Sequence, residues 1–264
     1  MLREALGVVA TSVALAPALL AAQVVDAFAP GIPGALAALG IAEQPHSVRA
    51  LAGGRSSAVY ELRFARATVV LKHAMTGGSV LAFGARLCGP QPYPDELSPA
   101  ARVRREAAAL EALARAGILR GPADKSGKMI VARVIAANPA AAVLLLEHVP
   151  GTPLSRAGGT APVRAYRRAL DAVHAAGWVL NDAHPGNALV DGDRVALIDL
   201  EFAERSTDPD RHAFDLAYAA AFFTGAEREI FLGEPDLRVT RASRRLAGFA
   251  PLFAYEAARQ RRAA

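Results

Sequence analysis

One cysteine, one tryptophan and few aromatics of any kind leave several kinds of chemistry out of reach in this 264-residue chain. The lone thiol, Cys88, cannot form an intrachain disulfide or build a Cys-based zinc site, which fits a reducing compartment and makes a cytoplasmic location the expectation. The formal net charge of +5 is carried by Arg far more than Lys. Much of it sits at the end, on Arg238, Arg241, Arg244, Arg245, Arg259, Arg261 and Arg262. That segment lacks interleaved aromatics on which bases could stack, so nucleic acid is not an expected partner. It reads first as the solvated face of C-terminal helices, and second as a surface for an acidic partner or anionic lipid.

Charge is also missing from Ala5 to Val25, a run long enough to span a bilayer. Three readings are open for it: a helix packed on the domain, a membrane anchor, or a cleaved signal. Pro17, Gln23, the alanine content and the weakly positive start favour the first. Membrane association through residues 5–25 stays as an expectation beside it.

What is present is apolar residue in abundance, 53%, with 21% charged, enough for one or two globular domains. A short helix is expected over Ile32–Leu39, closed by Gly40. Ser47–Leu51, Ala58–Phe64 and Thr68–His73 then read as a three-stranded antiparallel meander. Residues 75–97, with several Gly and Pro, read as a connecting loop. Ser98-Pro99 offers an N-cap and a first-turn proline for a helix running to Ala116 and stopped by Gly117. At roughly 100° per residue, Glu106 falls about 40° from the middle of that helix's apolar face and Glu111 about 100° away. A glutamate is therefore turned inward. Met129–Ile135 and Ala142–His148 read as further strands about an Asn138-Pro139 turn. Val163–Gly177 reads as a helix, and helices follow to the end. The expected fold class is α+β, with three parts: an apolar helical extension over 1–40, a small antiparallel-sheet lobe over 41–148, and a mostly helical lobe over 149–264.

The stretch VLNDAHPGNALVDGDRVALIDLEFA sets Asp182, Asn187 and Asp199 in an apolar frame. Pro185-Gly186 forces a turn between the first two. Ala188–Val190 and Val195–Ile198 can pair as a hairpin turning at Asp191-Gly192-Asp193, bringing Asn187 and Asp199 to one end. A carboxylate and an amide oxygen are hard ligands of the kind magnesium takes beside phosphate oxygens, and a second carboxylate can accept a proton from a hydroxyl.

These residues resemble the catalytic loop and metal-binding motif of the protein-kinase-like superfamily. The HPGN form is similar to the aminoglycoside phosphotransferase, choline kinase and RIO-like branches. The resemblance implies a two-lobed kinase fold with ATP and Mg²⁺ as cofactors, Asp182 as catalytic base, and Asn187 and Asp199 as metal ligands. LAGGRSSAVY resembles the Gly-rich loop, implying nucleotide contacts at Gly53, Gly54, Ser56 and Ser57. VVLK resembles the strand whose lysine, Lys72, reaches the phosphates, with Glu106 as its partner. LLLEHV resembles the hinge, with Glu147 and Val149 facing adenine. Asp215 resembles the buried aspartate that braces the catalytic loop. His184 stands two residues after the base, where it shapes the loop or touches phosphate; His174 reads as a core residue.

The departures are informative. Only Gly54 survives from the G-x-G-x-x-G pattern. Leu180-Asn181 replaces the His-Arg that precedes the base in regulated kinases, and no Ala-Pro-Glu follows Asp199. A phosphorylation-switched activation segment is not expected. Gly121–Lys128 looks like a phosphate-binding Walker loop but has five residues between its glycines and Met129 in place of Ser or Thr. The expected reaction is Mg-ATP-dependent phosphorylation of a hydroxyl-bearing acceptor, a small molecule or a lipid- or sugar-linked alcohol. Two alternatives stand beside it: a protein serine or threonine acceptor, and a pseudokinase scaffold.

Overall fold

Why the first half of the chain builds a sheet is visible in the alternation of its strands. The structure, a computed structural model, describes residues 16–27, 30–51, 56–88, 92–117, 119–120, 130–192, 194–234 and 236–262. Helices α1 (Ala16–Ala27) and α2 (Ile32–Ala38) come first. Strands β1 (Ser47–Leu51), β2 (Ser57–Arg63) and β3 (Thr68–Ala74) follow, then helices α3 (Thr76–Cys88) and α4 (Pro99–Arg115). Next come β4 (Leu119–Arg120), β5 (Ile130–Val131), β6 (Val134–Asn138), β7 (Val143–Glu147) and β8 (Thr152–Pro153). Helices α5 (Leu154–Ala157) and α6 (Thr160–Ala175) precede β9 (Trp178–Val179), β10 (Ala188–Asp191), β11 (Arg194–Leu197) and β12 (Glu204–Arg205). The chain closes with α7 (Pro209–Ala220), α8 (Gly225–Leu232), α9 (Leu237–Leu246) and α10 (Ala250–Arg262).

This is a protein-kinase-like α+β fold in two compact units: residues 1–108 with 134–148, and residues 109–133 with 149–264. In the first unit β1-β2-β3-β7-β6 form one antiparallel sheet. The pleat sends alternate side chains to opposite faces. Val69 and Leu71 of β3, with Val143 and Leu145 of β7, join Leu62 and Leu36 of α2 in one buried cluster. Each such aliphatic side chain removed from water contributes roughly 1.5–3 kcal/mol. Lys72, one residue on, is turned to the other face.

In the second unit β4-β5-β11-β10-β8 make a small mixed sheet, and β12 pairs with β9. Helix α6 buries Val163, Tyr166, Leu170 and Val173, the i, i+3, i+7, i+10 stripe of a core-facing helix. Helix α7 starts at an Asp208 cap with Pro209 in its first turn and is almost wholly buried beyond Ala213.

Two sequence expectations are corrected. Residues 75–97 are not all loop, because Thr76–Cys88 is helical. The Asp26 carboxylate accepts hydrogen bonds from the Thr76 and Gly77 amides at 2.7 and 2.9 Å, supplying a cap from a residue fifty positions away. Met129–Ile135 is not one strand: Ile130–Val131 pair with β11, whereas Val134 begins the strand beside β7. A continuous apolar run does not by itself reveal where it changes sheets. Among the described residues no single helix is long and apolar enough to cross a membrane. The first part of the apolar run, Gly53 and Gly54, and the Walker-like stretch 121–128 lie outside the described residues.

Candidate active site

In the first unit Lys72 and Glu106 are both buried, and Lys72 Nζ donates to Glu106 Oε2 at 2.6 Å. Helix α4 turns Glu106 inward as its periodicity implies, while Glu111 on the same helix stays exposed and 3.7 Å from Arg115. A desolvated ion pair contributes little to stability by itself, because taking both charges from water offsets the Coulomb gain. It does fix one ammonium in one place. Ser57, also buried, turns its hydroxyl to Arg102 at 3.1 Å. Glu147 ends β7 opposite Val69. Val149, the first residue of the second unit after the break at His148, is buried.

In the second unit the β10–β11 hairpin pairs Ala188 with Leu197 and Asp191 with Arg194, and the Ile198 amide donates to the Asn187 carbonyl at 2.9 Å. Asn187 and the segment leading to Asp199 thus meet at one end of the hairpin, as the pattern of two short apolar runs implied. Asp199 sits at φ +61°, a left-handed conformation that Asp and Asn tolerate better than bulkier residues. Asn181, at φ +61°, does the same just before Asp182.

The Asp182 carboxylate is held from two sides. Tyr218 Oη donates to Oδ1 at 3.2 Å, and Asn187 Nδ2 lies 3.5 Å from Oδ2 while donating to the Asp182 carbonyl at 3.1 Å. Burial pushes the Asp182 carboxyl above its usual range; the charges of Asp199 and Glu201 add to this, while His184 and the Tyr218 hydrogen bond oppose it. His184 accepts the Gly186 amide on Nδ1 at 3.0 Å and places Nε2 3.9 Å from the Asp182 carboxylate. The ring therefore shapes the HPGN turn.

Asp215, fully buried on α7, braces the loop by accepting the Leu180 and Asn181 amides at 2.6 and 2.8 Å. His174 is buried as expected, but it also approaches Asp215 at 3.2 Å and stacks on His212. The Asn181 side chain donates to the Phe202 carbonyl and accepts from Arg211, tying the loop to the segment after Asp199.

A model of the phosphotransferase enzyme family matches residues 47–177 and 161–249, which include Lys72, Glu106, Asp182, Asn187, Asp199 and Asp215. The chain belongs to this family. Membership of this family makes it a kinase-type phosphotransferase. Among solved structures it is similar to the Rio2 kinase–ADP/Mg²⁺-phosphoaspartate complex from Chaetomium thermophilum, at 14% identity over 83% of this chain and 72% of that one, with a TM-score of 0.47. No curated protein matches the sequence.

Three residues of this phosphotransferase escaped the sequence reading: Tyr218, Arg211 and Arg102. Tyr218 lies three positions after Asp215, on the same face of α7, and that spacing was the available signal. The Asp215 brace yields a prediction for the phosphotransferase. Asp215→Asn replaces one of two accepting oxygens with a donor that faces a backbone amide, so stability should fall by about 2 kcal/mol or more, roughly 4–8 °C in Tm for a chain of this size. Scanning calorimetry reads it, and an unchanged Tm would remove the brace.

Proposed function

We propose that this phosphotransferase transfers the γ-phosphoryl group of ATP, with Mg²⁺, to a hydroxyl of a small molecule or of a lipid- or sugar-linked alcohol. The observation that carries the reading is the Asp182 carboxylate, held by Tyr218 and Asn187 at the end of the hairpin that leads to Asp199. The residues present suit a hard divalent cation. Asp199 offers a carboxylate, and Asn187, with Nδ2 engaged by the Asp182 carbonyl, leaves Oδ1 as its donor to a metal. Bound there, Mg²⁺ supplies charge compensation for the phosphate oxygens. Asp182 orients the acceptor hydroxyl and takes its proton. Lys72, fixed by Glu106, reaches the α- and β-phosphates, and backbone groups of Glu147 and Val149 meet the adenine.

The short segment after Asp199 supports a small acceptor. It runs through β12, where Glu204 pairs with Val179, and reaches α7 by Pro209, with Ser206 donating its amide to the Gly177 carbonyl at 3.0 Å. A long phospho-regulated segment has no place in that stretch. Phosphatase treatment of purified protein is accordingly expected to leave the transfer rate unchanged, and a large drop would place a regulatory phosphate elsewhere. The complete set of lysine, base and metal ligands favours catalysis over a scaffold role. A thermal-shift titration tests the reading: Tm should rise with ATP only when Mg²⁺ is present, and no rise in either condition would sink it.

A further inference from the structure

We infer that Arg102 is a positioning residue for the phosphate-binding side of the nucleotide site, holding Ser56 and Ser57 against the helix that carries Glu106. The inference rests on the kinase reading above. Arg102 is fully buried. It lies one turn before Glu106, so both side chains leave α4 on nearly the same face. Its guanidinium spans two segments. Nη2 donates to the Ser56 carbonyl at 2.5 Å and the Ser57 hydroxyl at 3.1 Å, and Nη1 donates to the Met75 carbonyl at 2.9 Å and the Ser79 hydroxyl at 3.2 Å. Ser56 and Ser57 lie in the LAGGRSSAVY stretch just where β2 begins; Met75 and Ser79 bracket the start of α3.

The placement is costly for stability alone. A fully buried cation is desolvated, and the first turn of a helix, where Arg102 donates its amide to the Ser98 carbonyl, is the positive end of the helix dipole. Such a violation of local preference is expected where a site requires it. A second observation converges on the same residue. Gly78, inside α3, faces the Ser56 backbone so closely that a Cβ would lie 2.3 Å from Ser56 Cα and 2.6 Å from its carbonyl oxygen. Glycine inside a helix disfavours it by about 1 kcal/mol, so the close approach explains its presence. The Ser56 carbonyl also accepts the Met75 amide at 3.0 Å. Ser56 is thus gripped by α3, by the end of β3 and by Arg102, in a loop that carries few of the usual glycines.

The one-turn spacing couples this grip to catalysis. Because Arg102 and Glu106 project from the same helix, the residues closing the loop and the Lys72–Glu106 pair take their positions from one rigid element. The grip should matter for phosphates and not for the nucleoside.

The test measures Mg-ATP and adenosine affinities by isothermal titration on the full chain, for wild type, Arg102→Gln, Arg102→Lys and Ser57→Ala. Arg102→Gln should weaken Mg-ATP about tenfold or more and Arg102→Lys less, with adenosine affinity within about twofold of wild type in both. Equal losses for both ligands would make Arg102 a general brace and overturn the inference, as would unchanged Mg-ATP affinity. Should Arg102→Gln not fold, Arg102→Lys and Ser57→Ala decide by the same difference between ligands. A wild-type protein that binds adenosine and Mg-ATP alike would contradict the inference, whereas one that binds neither refutes the kinase reading on which it stands.

Discussion

Asp199→Asn should reduce phosphoryl transfer to background and abolish the Mg²⁺ dependence of ATP-induced stabilisation. Asn accepts the left-handed conformation that Asp199 adopts at φ +61°, so the substitution removes charge while leaving the backbone undisturbed. What is lost is the one anionic oxygen donor in the proposed metal pair; Asn187 alone is a neutral ligand and a weak one. Transfer rate and thermal shift, each with and without Mg²⁺, check the two halves of this result. Turnover at the wild-type level would remove Asp199 from the metal site, and a lost rate with Mg²⁺-dependent stabilisation intact would move the metal elsewhere.

Asp182→Asn has the second large effect, and it separates catalysis from stability. Losing the proposed general base should cost roughly 10²–10⁴ in transfer rate. Stability should move the other way. Burial raises the Asp182 carboxyl, so between its unfolded and folded pKa the native state binds more protons, and stability falls as pH rises through that window. Above the folded pKa the ionised side chain remains a net burden, increased by Asp199 and Glu201. Asn removes that burden and can still accept from Tyr218. The neutral-pH Tm of Asp182→Asn is therefore expected at or above that of wild type, with Mg-ATP affinity nearly unchanged. A Tm well below wild type would make Asp182 a structural carboxylate.

Much of the site is local in origin, and to that extent it was legible. The hairpin that joins Asn187 to Asp199 follows from two short apolar runs, of three and four residues, about Asp-Gly-Asp, and its register follows from the short turn. Glu106 turns inward because helical phase places it there, and Ser98-Pro99 marks where that phase begins, with the Ser98 hydroxyl accepting the Ala101 amide at 3.2 Å. The same phase contained Arg102, four residues earlier, but an arginine in an arginine-rich chain reads as solvated surface. Its burial depends on Ser56 and Met75, which the helix itself does not encode. Helix α3 failed for a similar reason. Gly77 and Gly78 look like loop until Asp26 caps the first and the Ser56 backbone presses on the second. Tyr218 was hidden in DLAYAAAF, where an aromatic amid alanines reads as core packing. It does pack, edge-on to Phe222 and Phe253, and it sends its hydroxyl to Asp182 as well.

The central claim is tested most directly by following the label from γ-labelled ATP, with Mg²⁺, in the presence of a broad panel of hydroxyl-bearing acceptors. The wild-type protein should move label from ATP onto an acceptor hydroxyl as a phosphate ester, and Asp182→Asn should bind the nucleotide while leaving the label on ATP. Label that appears on an acceptor equally with wild type and Asp182→Asn, or Mg-ATP that neither binds nor turns over with any acceptor, would contradict it.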